Sequence, residues 1–167
     1  MSEENRRDVI SHGGESLKKT SAPRGTAEEG RKAGNQTGGE WRSDRLEHEG
    51  LTEQIIGAGI DVHRELGPGF VESIYGNALA LELHARSIPF ERELHVPVLY
   101  RGTKVGSHRL DMFVFDEIVV ELKALKTLNP DHFAIVRSYL RAVDREHGLL
   151  LNFSKPTLEI KRVLARR

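Results

Sequence analysis

The chain has 167 residues, and 25 basic side chains balance 25 acidic ones, so its formal net charge is zero. The balance removes the overall positive charge typical of many nucleic-acid-binding proteins, but a local basic patch is compatible with it. The absence of cysteine excludes disulfides, iron–sulfur clusters and thiolate zinc sites. No apolar run reaches the roughly 20 residues of a membrane-spanning helix, and the N-terminus lacks the apolar segment of a signal peptide. We therefore expect a soluble cytoplasmic protein.

The first 45 residues differ in composition from the rest of the chain. They are rich in Gly, Ser, Lys and Glu and contain almost no large apolar side chains. Such a segment cannot bury enough surface to offset the entropy lost on ordering, so residues 1–45 are predicted to form a disordered tail. Residues 46–167 are long enough for one domain with a hydrophobic core.

Apolar residues at helical spacing predict two helices at the start of this domain. The first begins at about Leu51 and ends at Gly67-Pro68-Gly69, where glycine and proline stop the helix and force a turn. The second spans about residues 72–86 and places Tyr75, Leu79 and Leu83 along one face.

Three strands, a helix and further strands follow. Apolar residues alternate from Glu91 to Tyr100, a turn is predicted at Arg101-Gly102, and two more apolar segments come after it. Asn129-Pro130-Asp131 is typical of a helix start, and the segment LLLNF suits a central strand. The chain is predicted to end in a strand, or in a strand running into a short helix. This order predicts an α/β protein, with one mixed α+β sheet and helices on its faces.

Three charged residues interrupt the apolar strands of the hairpin LDMFVFDEIVVELK: Asp111, Glu121 and Lys123. Because side chains alternate along a strand, Glu121 and Lys123 share one face, while the other face carries Ile118, Val120, Leu122 and Ala124. Burying an unpaired charge costs several kcal/mol. These side chains are therefore expected to be paired, exposed or bound to a metal.

The register of this hairpin decides whether the two carboxylates meet. A three-residue connection, Phe115 to Glu117, places Asp111 directly opposite Glu121, whereas a two-residue turn separates them, since a slip of one residue exchanges the faces. The connection lacks the glycine that a three-residue loop with a bulge favours. We predict the three-residue connection.

Two interpretations of the three charges remain open from the strands alone. Two facing carboxylates repel each other unless a cation lies between them, and their oxygen atoms suit Mg²⁺, which keeps waters and shares substrate phosphates. A nearby lysine then helps a metal-activated water to attack a phosphodiester. The alternative is a cross-strand salt bridge of Lys123 with Asp111 or Glu121 at a sheet edge.

The sequence resembles a known family in several ordered segments. An acid in a helix, then Asp, then Glu-x-Lys on neighbouring strands is similar to the PD-(D/E)XK nuclease superfamily. GFVESIY fits the pattern Gly-x-x-Glu-x-x-Tyr at Gly69, Glu72 and Tyr75, which resembles the bacterial GxxExxY proteins, a branch of that superfamily. The resemblance covers about residues 51–165 and implies a restriction-endonuclease-like core: helix, three strands, helix, strand, here with an extra N-terminal helix.

The resemblance also implies roles for individual residues. Asp111 and Glu121 correspond to the direct ligands of Mg²⁺, with Mn²⁺ as a substitute, and Glu72 to the helix-borne acid that helps to hold the metal. Lys123 corresponds to the residue that positions the attacking water. Tyr75 is a possible substrate contact, although a core tyrosine is an equal alternative.

The implied function is metal-dependent hydrolysis of DNA or RNA. Arg137, Arg141 and Arg145 recur at four-residue spacing in the third helix, and the first two are possible phosphate contacts; a solvated helix face is the alternative. Relatives often carry Gln where this chain has Ile135. That departure keeps open a second function, a nucleic-acid-binding module of the same fold with little or no turnover. A third is a scaffold in which the charges form only salt bridges.

Overall fold

A computed structural model describes residues 40–165. It contains three helices, α1 (Glu40–Leu66), α2 (Glu72–Ala85) and α3 (Pro130–Val143), and five strands, β1 (Phe90–Tyr100), β2 (Thr103–Val114), β3 (Ile118–Lys123), β4 (His147–Asn152) and β5 (Glu159–Leu164). The order confirms the predicted succession of elements. None of the helices among the described residues is long and apolar enough to cross a membrane.

The first helix begins earlier than the sequence predicts. It starts at Glu40, whereas the apolar pattern starts at Leu51. The apolar pattern misses His48, which packs through its ring on His147 with 4.3 Å between centroids. Residues 1–39, which hold most of the predicted tail, lie outside the described residues, and so do residues 166–167. Disorder of the tail and a domain boundary at residue 46 therefore stay predictions.

The five strands form one mixed sheet in the order β1-β2-β3-β4-β5. The β1–β2, β2–β3 and β4–β5 pairs are antiparallel, and β3 and β4 are parallel. Parallel neighbours need a crossover, and α3 supplies it. β3 is thus the central strand. The last element of the described residues is the strand β5, and up to residue 165 no short helix follows it.

Helices cover both faces of the sheet. α1 and α2 pack on one face, where the fully buried Tyr75, Leu79 and Leu83 of α2 meet β2, β3 and β4. α3 packs on the other face through Val136 and Leu140. The predicted helix start at Asn129-Pro130-Asp131 is confirmed. The Asn129 side chain caps α3, because it accepts hydrogen bonds from the backbone N–H groups of residues 131 and 132. Both faces of β3 are therefore buried, which explains its apolar sequence.

The predicted register of the β2–β3 hairpin is confirmed. Val114 pairs with Ile118 and Met112 with Val120, so the connection has three residues and the next position places Asp111 opposite Glu121. Phe115 and Asp116 both adopt positive φ angles, 59° and 54°, without glycine. The backbone amide of Phe115 donates to the carbonyl of Pro89 at 2.9 Å, which helps to hold this loop.

The β1–β2 hairpin is longer than the rest of the sheet. Its two strands pair from Phe90 to Tyr100, but β2 pairs with β3 only from Met112 to Val114. The predicted turn at Arg101-Gly102 is confirmed: both residues have positive φ angles, 50° and 79°, as a type I′ turn requires.

Candidate active site

Asp111 and Glu121 lie where the ladder between β2 and β3 ends. The last paired residues are Met112 and Val120. One position further, the Oδ2 atom of Asp111 accepts a hydrogen bond from the backbone N–H of Leu122 at 2.9 Å. The carboxylate of Asp111 thus takes the place of a backbone carbonyl of β2 as the hydrogen-bond acceptor for β3. The two acids therefore meet inside the sheet, next to the central strand.

Glu121 is buried and only partly satisfied. Only 4 % of the surface of Glu121 is exposed to solvent. Oε1 accepts a hydrogen bond from Lys123 Nζ at 2.6 Å, whereas Oε2 is buried without a hydrogen-bond partner among the described residues. Burial and then the negative charge of Asp111 raise the pKa of Glu121 to about 7, although Lys123 opposes this effect. The carboxylate therefore has one oxygen free to bind a cation.

Lys123 ends β3 and links Glu121 with Glu72. Its Nζ atom lies 2.6 Å from Glu121 Oε1 and 3.8 Å from Glu72 Oε2. Burial lowers the pKa of Lys123, but the hydrogen bond and the charges of Glu121, Glu72 and Asp111 together raise it above its ordinary value. Lys123 is therefore a cation held among three carboxylates.

Glu72 is the first residue of α2, so its position depends on the turn before that helix. Its Oε1 atom accepts a hydrogen bond from the backbone N–H of Ala124 at 3.2 Å, which ties the start of α2 to the end of β3. The structure thus brings Glu72 next to Lys123. The four predicted residues, Glu72, Asp111, Glu121 and Lys123, share one region.

A cavity of about 230 Å³ opens beside these acids. Its lining includes Glu72 and Asp111 together with two arginines that the sequence analysis missed, Arg92 and Arg109. Arg109 lies two residues before Asp111 in the same strand, a spacing that was visible in the sequence. Arg92 lies on β1, and only the register of β1 against β2 brings it here. The cavity therefore combines acids that suit a metal with cations that suit phosphate.

Tyr139 of α3 approaches the acids from the opposite face. Its burial, followed by the charges of Glu121 and Asp111, raises the pKa of Tyr139. Its ring also contacts the ring of His108 edge-on, with 4.8 Å between centroids. Tyr139 was not among the predicted site residues, because only tertiary packing shows which face of α3 meets the site.

The prediction that Arg137, Arg141 and Arg145 all lie on the third helix is wrong for Arg145. α3 ends at Val143, so Arg145 lies beyond the helix, where its side chain bonds Asp116 and Glu117 of the β2–β3 turn. The left-handed backbone of Asp144 ends the helix. Arg137 and Arg141 do lie on α3, and Arg141 is exposed.

Tyr75 is fully buried rather than turned toward the cavity. Its hydroxyl donates to the carbonyl of Gly67 at 2.7 Å and accepts from the backbone N–H of Phe70 at 3.2 Å. Its ring stacks on Phe153, with 4.3 Å between centroids. This placement favours the core alternative over substrate contact. Tyr75 holds the loop that leads into α2, and through it the position of Glu72.

Asn152, a residue without a role in the sequence analysis, fixes the segment after Lys123. It is fully buried at the end of β4. Its side-chain amide accepts from the backbone N–H of Leu125 at 3.0 Å and donates to the carbonyl of the same residue at 2.8 Å. The chain therefore leaves β3 along a defined path beside Lys123.

The comparison with known families agrees with this geometry. The model of the PD-(D/E)XK nuclease superfamily matches residues 49–163. The chain belongs to the PD-(D/E)XK nuclease superfamily. The five-stranded mixed sheet with helices on both faces is the restriction-endonuclease-like fold of this superfamily, as predicted. The chain matches no curated protein and no solved structure.

PD-(D/E)XK nucleases usually use divalent metals, and the residues present fit such an ion. The buried Glu121 Oε2 has no hydrogen-bond donor among the described residues, and Asp111 adds a second negative charge beside it. Within residues 40–165, no three His, Asp or Glu side chains are grouped closely enough to hold an ion by themselves. Waters and substrate phosphate would therefore complete the coordination, as is usual for Mg²⁺.

Proposed function

We propose that this protein is a metal-dependent nuclease that hydrolyses phosphodiester bonds of DNA or RNA, with Mg²⁺ or Mn²⁺ as the cofactor. The observation that carries the proposal is the buried, unpartnered oxygen of Glu121 facing Asp111. A protein gains no stability from two such carboxylates, so their retention in the interior points to a ligand that neutralises them.

The proposal assigns a role to each side chain. Asp111 and Glu121 hold the metal, which, when bound, supplies an activated water. Lys123, which lies 2.6 Å from Glu121 Oε1, positions that water and stabilises the charge that develops on the phosphate. Glu72 holds Lys123 from the helix and assists metal binding. Arg92 and Arg109 bind the phosphate that enters the cavity.

We further propose that the chain belongs to the GxxExxY branch. Three observations support it, one for each position of the motif. Gly69 has a φ angle of 116°, a backbone conformation that favours glycine. Glu72 begins α2 beside Lys123. The hydroxyl of Tyr75 holds the loop that leads into α2. The motif is thus explained as a unit that positions one acid.

A binding module with little or no turnover is the second candidate. Ile135, where relatives often carry Gln, lies on α3 with 40 % of its surface exposed and offers no hydrogen bond to substrate. The salt bridge between Lys123 and Glu121 also satisfies one oxygen that a metal would otherwise share. Both functions require nucleic acid binding, so only turnover separates them.

The test is a cleavage panel of plasmid DNA, single-stranded DNA and RNA with Mg²⁺, with Mn²⁺ and with a chelator. We expect cleavage of at least one substrate only with metal. Asp111→Ala should abolish it, and Lys123→Ala should slow it about 100-fold or more, as loss of one transition-state contact does.

Each other outcome of the panel has a defined meaning. Equal activity in wild type and both variants would identify a contaminant and refute the proposal. Metal-dependent stabilisation and substrate binding without cleavage would favour the binding module. No response to metal would leave only the scaffold, in which the charges are salt bridges.

A further inference from the structure

The β1–β2 hairpin continues beyond the sheet as a two-stranded arm, residues 94–110. Its strands remain paired to the turn, where Tyr100 faces Thr103. Among the described residues, no third strand pairs with it, because β3 leaves β2 after Met112. At about 3.4 Å per residue, seven paired positions make the arm roughly 20 Å long. α3 covers the base of the arm, where Val96 and Leu110 are buried, but residues 99–107 at its tip are all exposed.

The arm carries positive charge and no negative charge. It contains Arg101, Lys104 and Arg109, two histidines and no Asp or Glu, although the whole chain is neutral. All three cations are exposed. Only Arg109 has an acidic neighbour within the described residues, Glu93 at 3.7 Å, and that pair is more than half exposed and therefore weak. The arm is thus complementary to a polyanion.

The positive surface is continuous with the candidate active site. At the base of the arm, Arg109 lines the same cavity as Asp111. One residue further, His108 lines a second cavity of about 350 Å³ between the arm and α3, together with Ser138 and Arg141. His108 and Arg141 lie on the α3 face of the arm, whereas Arg109 lies on the face that carries Glu72 and Asp111. A phosphate backbone that follows the arm would therefore reach the metal-binding acids past Arg109.

The tip of the arm combines its cations with apolar contact surface. Leu99, Tyr100 and Val105 are each about 60 % exposed, and the guanidinium of Arg101 lies 5.4 Å from the centre of the Tyr100 ring. Tyr100 is the only aromatic ring on the arm besides its histidines. Proteins that bind single strands usually present several rings on which successive bases stack. The tip therefore fits a base-pair edge better than a row of unstacked bases.

We propose that residues 94–110 are a duplex-binding arm that lies in the major groove of double-stranded DNA and delivers one strand to the active site. The major groove of B-form DNA, roughly 12 Å wide, admits a two-stranded ribbon, whereas the major groove of duplex RNA is too narrow for side chains. This inference rests on the proposed function and adds its substrate class.

The test measures binding without metal, so that it does not depend on cleavage. Fluorescence anisotropy gives the affinity for a 20-base-pair DNA duplex, for either single strand and for the same duplex in RNA, in EDTA over a series of salt concentrations. The arm variant is Arg101→Glu with Lys104→Glu. The control is Lys161→Glu with Arg162→Glu, which makes the same change of charge on β5 at the opposite edge of the sheet.

The arm variant should lose at least tenfold in affinity for duplex DNA. The slope of the logarithm of affinity against the logarithm of salt concentration should become shallower by the amount expected for about two phosphate contacts. The control should lose less than threefold. Both variants replace exposed side chains, and equal thermal midpoints will show that both are folded.

Three results would overturn the inference: equal losses in both variants, tighter binding of single strands or duplex RNA that also depends on the arm, or no loss in the arm variant. Absence of metal-dependent cleavage by the wild type with arm-dependent duplex binding would instead refute the proposed nuclease and leave the arm intact. The neutral variant Arg101→Ala with Lys104→Ala should show a smaller loss of the same kind, since it removes contacts without adding repulsion.

Discussion

Glu121→Gln should stabilise the metal-free protein at high pH while it removes metal binding. A carboxyl pKa of 4.5 in the unfolded chain and about 7 in the fold costs about 3 kcal/mol of folding free energy above pH 7, because one pKa unit is worth about 1.4 kcal/mol. The cost is absent below pH 4.5, grows as the pH rises from 4.5 to 7, and is complete above pH 7. The amide keeps the size and one acceptor oxygen of Glu121, and its nitrogen can donate toward Asp111.

Urea unfolding in EDTA at pH 5 and pH 8 measures this effect. We expect the difference in unfolding free energy between variant and wild type to rise by about 2 kcal/mol, in favour of the variant, from pH 5 to pH 8. The control Glu53→Gln changes an exposed carboxylate of α1 and should give no such gain. If the variant gains nothing at pH 8, or gains equally at both pH values, Glu121 does not bear the electrostatic cost on which the metal-site argument depends.

Three further predictions concern the same region. Saturating Mn²⁺ at pH 7.5 should raise the unfolding free energy of the wild type by about 2–3 kcal/mol but not that of Asp111→Asn, by thermal scans with and without EDTA. Asn152→Leu should cost about 2–4 kcal/mol in urea, since it leaves both backbone groups of Leu125 unpaired. Tyr75→Phe should cost about 1–2 kcal/mol and slow cleavage without changing metal affinity more than a few-fold, because it loosens the loop before Glu72. If Asn152→Leu or Tyr75→Phe is as stable as the wild type, the prediction for that variant is wrong.

The position of the acids was predictable because it follows from strand parity. Asp111 and Glu121 can face each other only across an odd connection, and the structure has three residues there. The sequence argued against that loop through its lack of glycine, yet Phe115 and Asp116 adopt positive φ angles. Burial of the flanking strands on both faces fixes the register more strongly than the turn residues do.

Other parts of the site depend on packing that the sequence does not encode locally. Arg92 reaches the cavity only through the pairing of β1 with β2, and Tyr139 through the way α3 crosses the sheet. The helical spacing of Arg145 misled the prediction, because a left-handed residue at Asp144 ends α3 before it. Lys123 does form a salt bridge with Glu121, but both residues lie on β3, so the pair is not the cross-strand bridge of the alternative, and it lies on the central strand instead of a sheet edge.

The central claim is that Lys123 and the neighbouring carboxylates form a hydrolytic site that requires metal. The most direct measurement is the rate of nicking of supercoiled plasmid with Mn²⁺ for the wild type, for Lys123→Ala and for Lys126→Ala, a matched lysine that is exposed three residues further along the chain. We predict that Lys123→Ala loses about 100-fold or more in rate and that Lys126→Ala stays within a few-fold of wild type. Equal rates for the two alanine variants would contradict the account.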